Sequence, residues 1–167
     1  MNNYLLSIDP SIKNTGFTLW ENKKTIWINS YNFKNYNYDW EKIQIQISYL
    51  IDMNKYDLLM ERGTFHSKNG IGYETQEHLR GFIAGQFNKL LTKNMLISPS
   101  SWKKWYINNF KNNYNLPKKQ EFIWIKNTSI QLANELIINQ GWNITVSNHD
   151  EADSLLIGWY YLNKENK

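Results

Sequence analysis

Ser7-Ile8-Asp9-Pro10-Ser11-Ile12-Lys13-Asn14-Thr15-Gly16-Phe17 is the stretch on which the fold turns. The apolar run Tyr4-Leu5-Leu6-Ser7-Ile8 ends on an aspartate, and the chain resumes at Thr15 after a segment of good turn chemistry. This predicts one strand over 4–9 and a second, antiparallel to it, over 15–20. Glu21-Asn22-Lys23 is a tight polar connection, and Thr25–Phe33, rich in β-branched and aromatic residues, predicts a third strand. The first third of the chain therefore reads as an antiparallel meander.

Outward from the meander the period changes. Asp39 can cap a helix over 40–52, where Trp40, Ile43, Ile47, Leu50 and Ile51 recur at helical spacing. A fourth strand, Asp57–Met60, follows. A strand–helix–strand unit implies a crossover that lays this strand parallel to the first. Asp9 and Glu61 would then end neighbouring strands at the same edge. Further on, 74–91 predicts a helix with the stripe Leu79, Phe82, Ile83, Phe87 and Leu90, and with Gly81 and Gly85 four apart on another face. A short strand is expected over 95–98, and a helix opened by Pro99 over 100–108. One or two helices are expected over 118–139, broken near Asn127-Thr128, with Gly141 as their C-terminal glycine. A last strand is expected over 142–146. A final helix is expected to be capped by Ser147 or Asn148, with Glu151 as the N3 partner of Asn148.

Asp150 and Asp153 open that final helix three residues apart, so they share one face. Four acids converging on one place repel one another unless cations lie between them. Hard divalent ions take oxygen ligands, so Asp9, Glu61, Asp150 and Asp153 form a candidate site for Mg²⁺ or Mn²⁺. Each acid also has a plain reading. A strand-end aspartate is an ordinary turn residue, and Asp150 with Glu151 suits a helix N-terminus by ~0.3–1 kcal/mol. Order and spacing together favour the metal site. His149 is a further candidate ligand or general base, and Glu151 an extra acid for capping.

Bulk properties set the limits. The 167 residues allow one domain, 1–167, with a sizeable core and no obvious internal boundary. Cysteine is absent, which excludes disulfides, thiolate chemistry and Cys-based zinc sites. No signal peptide or transmembrane segment is read, so a cytoplasmic, membrane-free protein is expected. The net charge of +4 is compatible with a phosphate-rich partner. With 8 Trp and 11 Tyr, aromatics make up 16% of the chain, and stacking on bases is one use for them. Trp102, Trp105 and Tyr106 are candidates for that role or for packing on the sheet.

The order of strands and helices, with acids at two strand ends, is similar to the ribonuclease H-like superfamily. Ser7-Ile8-Asp9-Pro10 with Thr15-Gly16 closely resembles the first motif of RuvC-type Holliday-junction resolvases. Leu58-Leu59-Met60-Glu61-Arg62 resembles their second motif. Asp150-Glu151-Ala152-Asp153-Ser154-Leu155 resembles their last, and Leu79-Arg80-Gly81 an Arg-Gly of their intervening helix. The compact size and divergent middle look like those of a phage or viral member.

The resemblance implies an α/β ribonuclease H-like fold, a mixed five-stranded sheet flanked by helices. Its three-stranded antiparallel meander is joined by parallel strands. It implies a homodimeric endonuclease that cuts four-way junctions and other branched DNA, with two Mg²⁺ ions per site and Mn²⁺ as substitute. No small-molecule cofactor is implied. Asp9, Glu61, Asp150 and Asp153 would be its catalytic ligands, and the products would carry 5′-phosphate and 3′-hydroxyl ends. Lys103 and Lys119 resemble the family's two basic DNA-contact positions, with Lys104 and Lys118 as neighbours in register. Phe65 lies one residue beyond the offset of the family's junction wedge. Arg62, Arg80 and His66 are further candidate phosphate contacts. The Gly81/Gly85 face is a candidate dimer seam, with intrachain packing as the alternative.

Three other readings carry different expectations. YqgF-type proteins share fold and motifs and are tied to RNA. Actin-like ATPases need two such domains, which this chain lacks room for. A non-catalytic nucleic-acid-binding module would have no use for the four acids.

Overall fold

Strand β1 (Tyr4–Asp9) sends alternate side chains into two separate hydrophobic layers. Leu5 joins one layer, and Leu6 and Ile8 join the other. In the computed structural model, residues 3–11, 13–32, 41, 45, 48–49, 55–63, 70–110 and 121–164 are described, apart from the side chains of 70–72 and 121–122. Beside β1 run β2 (Thr15–Glu21), β3 (Lys24–Tyr31), β4 (Tyr56–Glu61) and β5 (Leu96–Ile97), in the order β3-β2-β1-β4-β5. The β1/β2 and β2/β3 pairs are antiparallel, and the β1/β4 and β4/β5 pairs are parallel. This is the mixed five-stranded sheet expected from the sequence. Asn22 and Lys23 join β2 to β3 with φ of 46° and 68°, the left-handed pair that a two-residue hairpin favours.

Helix α1 (Gly70–Gln86) covers the Leu6/Ile8 face through Leu79, Ile83 and Phe87. Helices α2 (Pro99–Phe110), α3 (Glu121–Gln140) and α4 (His149–Asn163) cover the other face. Their layer holds Trp20, Trp102, Tyr106, Ile125, Leu132, Leu155 and Leu156, all buried. Among the described residues, no helix is long and apolar enough to cross a membrane.

Several boundaries differ from expectation. Helix α1 runs over Gly70–Gln86 where 74–91 was expected, and Asn88, at φ 53°, ends it. Lys89 N then bonds Ala84 O at 2.9 Å and Asn88 N bonds Gly85 O at 3.0 Å, a Schellman close. Leu90 consequently leaves the stripe and is 84% exposed, and Phe82 is 37% exposed. Helix α3 is unbroken at Asn127-Thr128, because Ile125, Ser129 and Leu132 are buried on either side of the pair, and the Thr128 hydroxyl turns back to Trp124 O at 2.7 Å within the helix. Residues 142–146 form no strand: Trp142 and Val146 reach the core from an irregular segment. A 3₁₀ turn, Lys93–Met95, claims the start of the expected strand and leaves only Leu96–Ile97. Gly141, at φ 67°, ends α3 as expected. The expected 40–52 helix lies outside the described residues except Glu41, Ile45, Ser48 and Tyr49, which are helical and exposed.

Helix α4 docks on β2 step by step. A Cβ at Gly16 would collide with the backbone carbonyl of Asp150. Thr18 Oγ1 lies 2.7 Å from Ser154 Oγ, and a Cβ at Gly158 would collide with the Trp20 indole. Positions 16, 18 and 20 are thus matched to 150, 154 and 158. Two strand residues advance about 6.7 Å and four helix residues about 6 Å, so the contacts stay in phase. Ser7 completes the seam: Trp20 Nε1 donates to Ser7 Oγ at 2.8 Å, and Ser7 Oγ donates to Ser154 O at 2.8 Å.

Candidate active site

The period of two along β1 puts Asp9 on the same side as Leu5 and Ser7, facing α4. The same alternation in β4 puts Glu61 on the side of Leu59, in that layer. The parallel register pairs Ile8 with Met60, so its next step sets Asp9 beside Glu61. Contact of α4 with Gly16, the strand partner of Asp9, brings the first turn of that helix over the same sheet end. Asp150 and Asp153 therefore arrive from the second half of the chain at the edge that carries Asp9 and Glu61.

The four acids act on one another. Asp9 is driven well above the usual carboxylate range, first by desolvation and then by the charges of Glu61, Asp153 and Asp150. Asp153 is pushed up to about 7, chiefly by burial, with Glu61 and Asp150 adding to it. Burial also raises Glu61. Lys103 opposes the rise in all three. The Ser129 hydroxyl, 3.0 Å from His149 Nδ1, also draws Asp153 down.

Two of the acids are held by neutral donors. Asn14 Nδ2 donates to Asp150 Oδ2 at 3.0 Å, and Trp102 Nε1 donates to Glu61 Oε2 at 2.7 Å. Asp153 Oδ1 is buried and has no hydrogen-bond partner. Among the described residues, no three carboxylate or imidazole groups are gathered tightly enough to form a ready-made metal cluster. The acids share one electrostatic neighbourhood without being closed into one cage. The donor chemistry of the four acids fits a hard divalent cation: all their side-chain donors are oxygens, and one, Asp153 Oδ1, is buried with nothing to bond.

The remaining candidates separate. Lys103 is half-buried, with Nζ 4.9 Å from the Trp102 ring centroid, and its charge faces the acids. Lys104 and Arg62 are exposed. Arg80, expected as a phosphate contact, is instead 2% exposed. Its Nε donates to Glu61 O at 2.7 Å and its Nη1 pairs with Glu77 at 3.1 Å, so it braces the end of β4 from inside. His149 is exposed and engaged with Ser129. Glu151 is the capping acid: Asn148 Oδ1 accepts its N–H at 3.0 Å. Its carboxylate in turn accepts from Ser147 N at 2.8 Å, Ser147 Oγ at 2.9 Å and Ser30 Oγ at 3.0 Å. Phe65, His66, Lys118 and Lys119 lie outside the described residues. Trp102 and Tyr106 are buried in the core, which excludes base stacking for both.

Asn14, Trp102 and Ser129 are contacts that the sequence reading missed as partners of the acids. Asn14 sits inside the first motif and Trp102 directly precedes Lys103, so position pointed at both. Nothing in the sequence pointed at Ser129.

No protein-family model matches the chain, and no curated protein matches it. Among solved structures it is similar to Thermus thermophilus RuvC in complex with a Holliday junction substrate. That match has a TM-score of 0.55 and 10% identity, over 95% of this chain and 94% of that one. A second structure of Thermus thermophilus RuvC matches with a TM-score of 0.53 and 12% identity, over 96% of both chains. The likeness covers nearly the whole chain, and the fold is RuvC-like.

Proposed function

We propose that this chain is a divalent-metal-dependent, structure-selective DNA endonuclease that resolves four-way junctions and related branched DNA by paired nicks. The observation that carries the reading is the convergence of Asp9, Glu61, Asp150 and Asp153 on one sheet end, where burial first and acidic neighbours second raise both Asp9 and Asp153. The likeness to a RuvC structure that holds a Holliday junction supports the choice of substrate.

Asp9 and Glu61 would hold the cations from the strand ends, and Asp150 and Asp153 from the helix. When bound, a pair of divalent ions supplies the positive charge that activates water and stabilises the leaving oxygen in phosphodiester hydrolysis. The protein's own part is positional. Asn14 fixes Asp150, the α4 seam fixes the distance from helix to sheet, and Lys103 brings a positive charge to the scissile phosphate. Lys104 and Arg62 are exposed for contacts to the DNA backbone. Two copies would act together, joined along α1. There Gly81 and Gly85 are exposed with nothing within 4 Å of an added Cβ, next to Phe82 at 37% exposure.

The test is cleavage of a synthetic four-way junction with and without Mg²⁺, with the nicks mapped. Wild type gives symmetric paired nicks only with Mg²⁺, and Asp9→Asn binds the junction but does not cut it. Nicking by Asp9→Asn at near the wild-type rate, or metal-independent cutting, refutes the assignment.

A further inference from the structure

We propose that Trp102 is a positioning residue of this site, holding Glu61 by the edge of its indole and Lys103 over its face. The inference rests on the nuclease reading above and assigns a role that packing alone does not require.

Trp102 is fully buried, yet its one polar atom does not point into the core. Nε1 donates to Glu61 Oε2 at 2.7 Å, at the short end for N–H···O and typical of a bond to an ionised acceptor. This bond opposes the burial that otherwise favours the protonated acid. With Oε2 committed to the indole, Oε1 is the oxygen that Glu61 offers to a cation. A ligand carboxylate fixed by an outer donor loses its freedom to rotate, the usual part played by groups behind a metal ligand.

The same ring carries Lys103 Nζ 4.9 Å from its centroid. A cation on an aromatic face is held there by the ring quadrupole. One rigid side chain therefore fixes an acid and a base relative to each other. The ring is itself fixed. Tyr106 packs against it edge-on, at 6.2 Å and 83°. Its helix α2 begins directly after β5, which pairs with β4 at Glu61↔Ile97. Arg62 N donates to Ile97 O at 2.8 Å, tying that strand pair together beyond the acid. Phenylalanine would fill much of the same space but could not donate.

The experiment compares Trp102→Phe with Tyr106→Phe, using Mn²⁺ alone in calorimetry and Mg²⁺ titration of junction cleavage. Tyr106→Phe is the control: it removes a buried hydrogen bond on the same helix, to Leu156 O at 3.0 Å, and touches no acid. Trp102→Phe is expected to weaken Mn²⁺ binding by about 10–100-fold and to raise the Mg²⁺ needed for half-maximal cleavage equally. Tyr106→Phe should leave Mn²⁺ affinity within about twofold. If Trp102→Phe does not fold, wild type labelled with ¹⁵N-tryptophan decides. One of its 8 indole N–H signals should move on adding Mg²⁺, and Glu61→Gln should displace that same signal. Wild type that neither binds Mn²⁺ nor cuts junctions overturns the parent reading and this one with it. Wild type that does both, while Trp102→Phe matches it or no indole signal moves, overturns this inference alone.

Discussion

Replacing Asp153 with asparagine should make the metal-free protein more stable, and the gain should grow with pH. Asp153 is pushed from 3.8 up to about 7, first by burial, and its Oδ1 has no partner. A carboxyl whose folded-state value is raised favours the protonated form in the fold. Its contribution is intact below its unfolded value near 4 and is lost as pH rises to about 7. At about 1.4 kcal/mol per pH unit, a displacement of about three units sets a ceiling of roughly 4 kcal/mol above pH 7. Asparagine removes that penalty but buries an amide of its own, at a cost of about 1–3 kcal/mol if poorly paired. The net expected gain at pH 8 is about 1–3 kcal/mol, shrinking toward zero or reversing near pH 4. Urea unfolding in excess chelator at pH 4.5, 6 and 8 measures it. Added Mg²⁺ should close the gap, because an ion that binds only the folded wild type stabilises it. If wild type keeps its stability from pH 4.5 to 8, or Asp153→Asn is the less stable at pH 8, the acids do not crowd one another as described.

Two further substitutions probe how the site is built. Gly16→Ala drives a methyl into the Asp150 carbonyl, which is backbone and cannot swing aside. It should cost about 1–3 kcal/mol in unfolding free energy and, by lifting the first turn of α4 about 1 Å, lower junction cleavage about 100-fold. Ser7→Ala strands the Trp20 indole N–H at 1% exposure, so its thermal midpoint should fall by the equivalent of about 1–3 kcal/mol, with Mg²⁺ dependence of cleavage unchanged.

What was legible in the sequence followed strict periods and local chemistry. The apolar runs that end on Asp9 and Glu61 marked two strands, read over 4–9 and 57–60, and both formed, the second as Tyr56–Glu61. The capping pattern Asn148-x-x-Glu151 marked the start of α4, and Gly141 marked the end of α3. Errors arose where a local signal had a tertiary competitor. Leu90 kept the helical period of α1, but Asn88 can take the left-handed conformation and closed the helix first. Asn127-Thr128 looks like a break, yet burial of Ile125, Ser129 and Leu132 carries the helix through it. Arg80 read as a candidate phosphate contact because nothing local reveals that Glu77 and the end of β4 enclose it. The hold of Trp102 on Glu61 spans 41 residues, beyond the reach of any periodic pattern.

The α4 seam explains how a fold can keep four acids together at all. Each carboxylate pushes the others away, and desolvation adds to the push. A loop would relax by moving out into water. Helix α4 cannot, because its contacts run the length of β2, from Gly16 through Thr18 to Trp20. To separate Asp150 and Asp153 from Asp9, the helix would have to break the Ser154 hydrogen bonds to Thr18 and Ser7 and pull Leu155, Leu156 and Ile157 from the core. Fully burying each of those apolar side chains contributes about 1.5–3 kcal/mol, which opposes the repulsion of the acids. The strain stays at the sheet end, where the carboxylates are, and the restraint lies one to three helical turns away. That separation lets the acidic cluster be electrostatically unfavourable without unfolding the element that presents it.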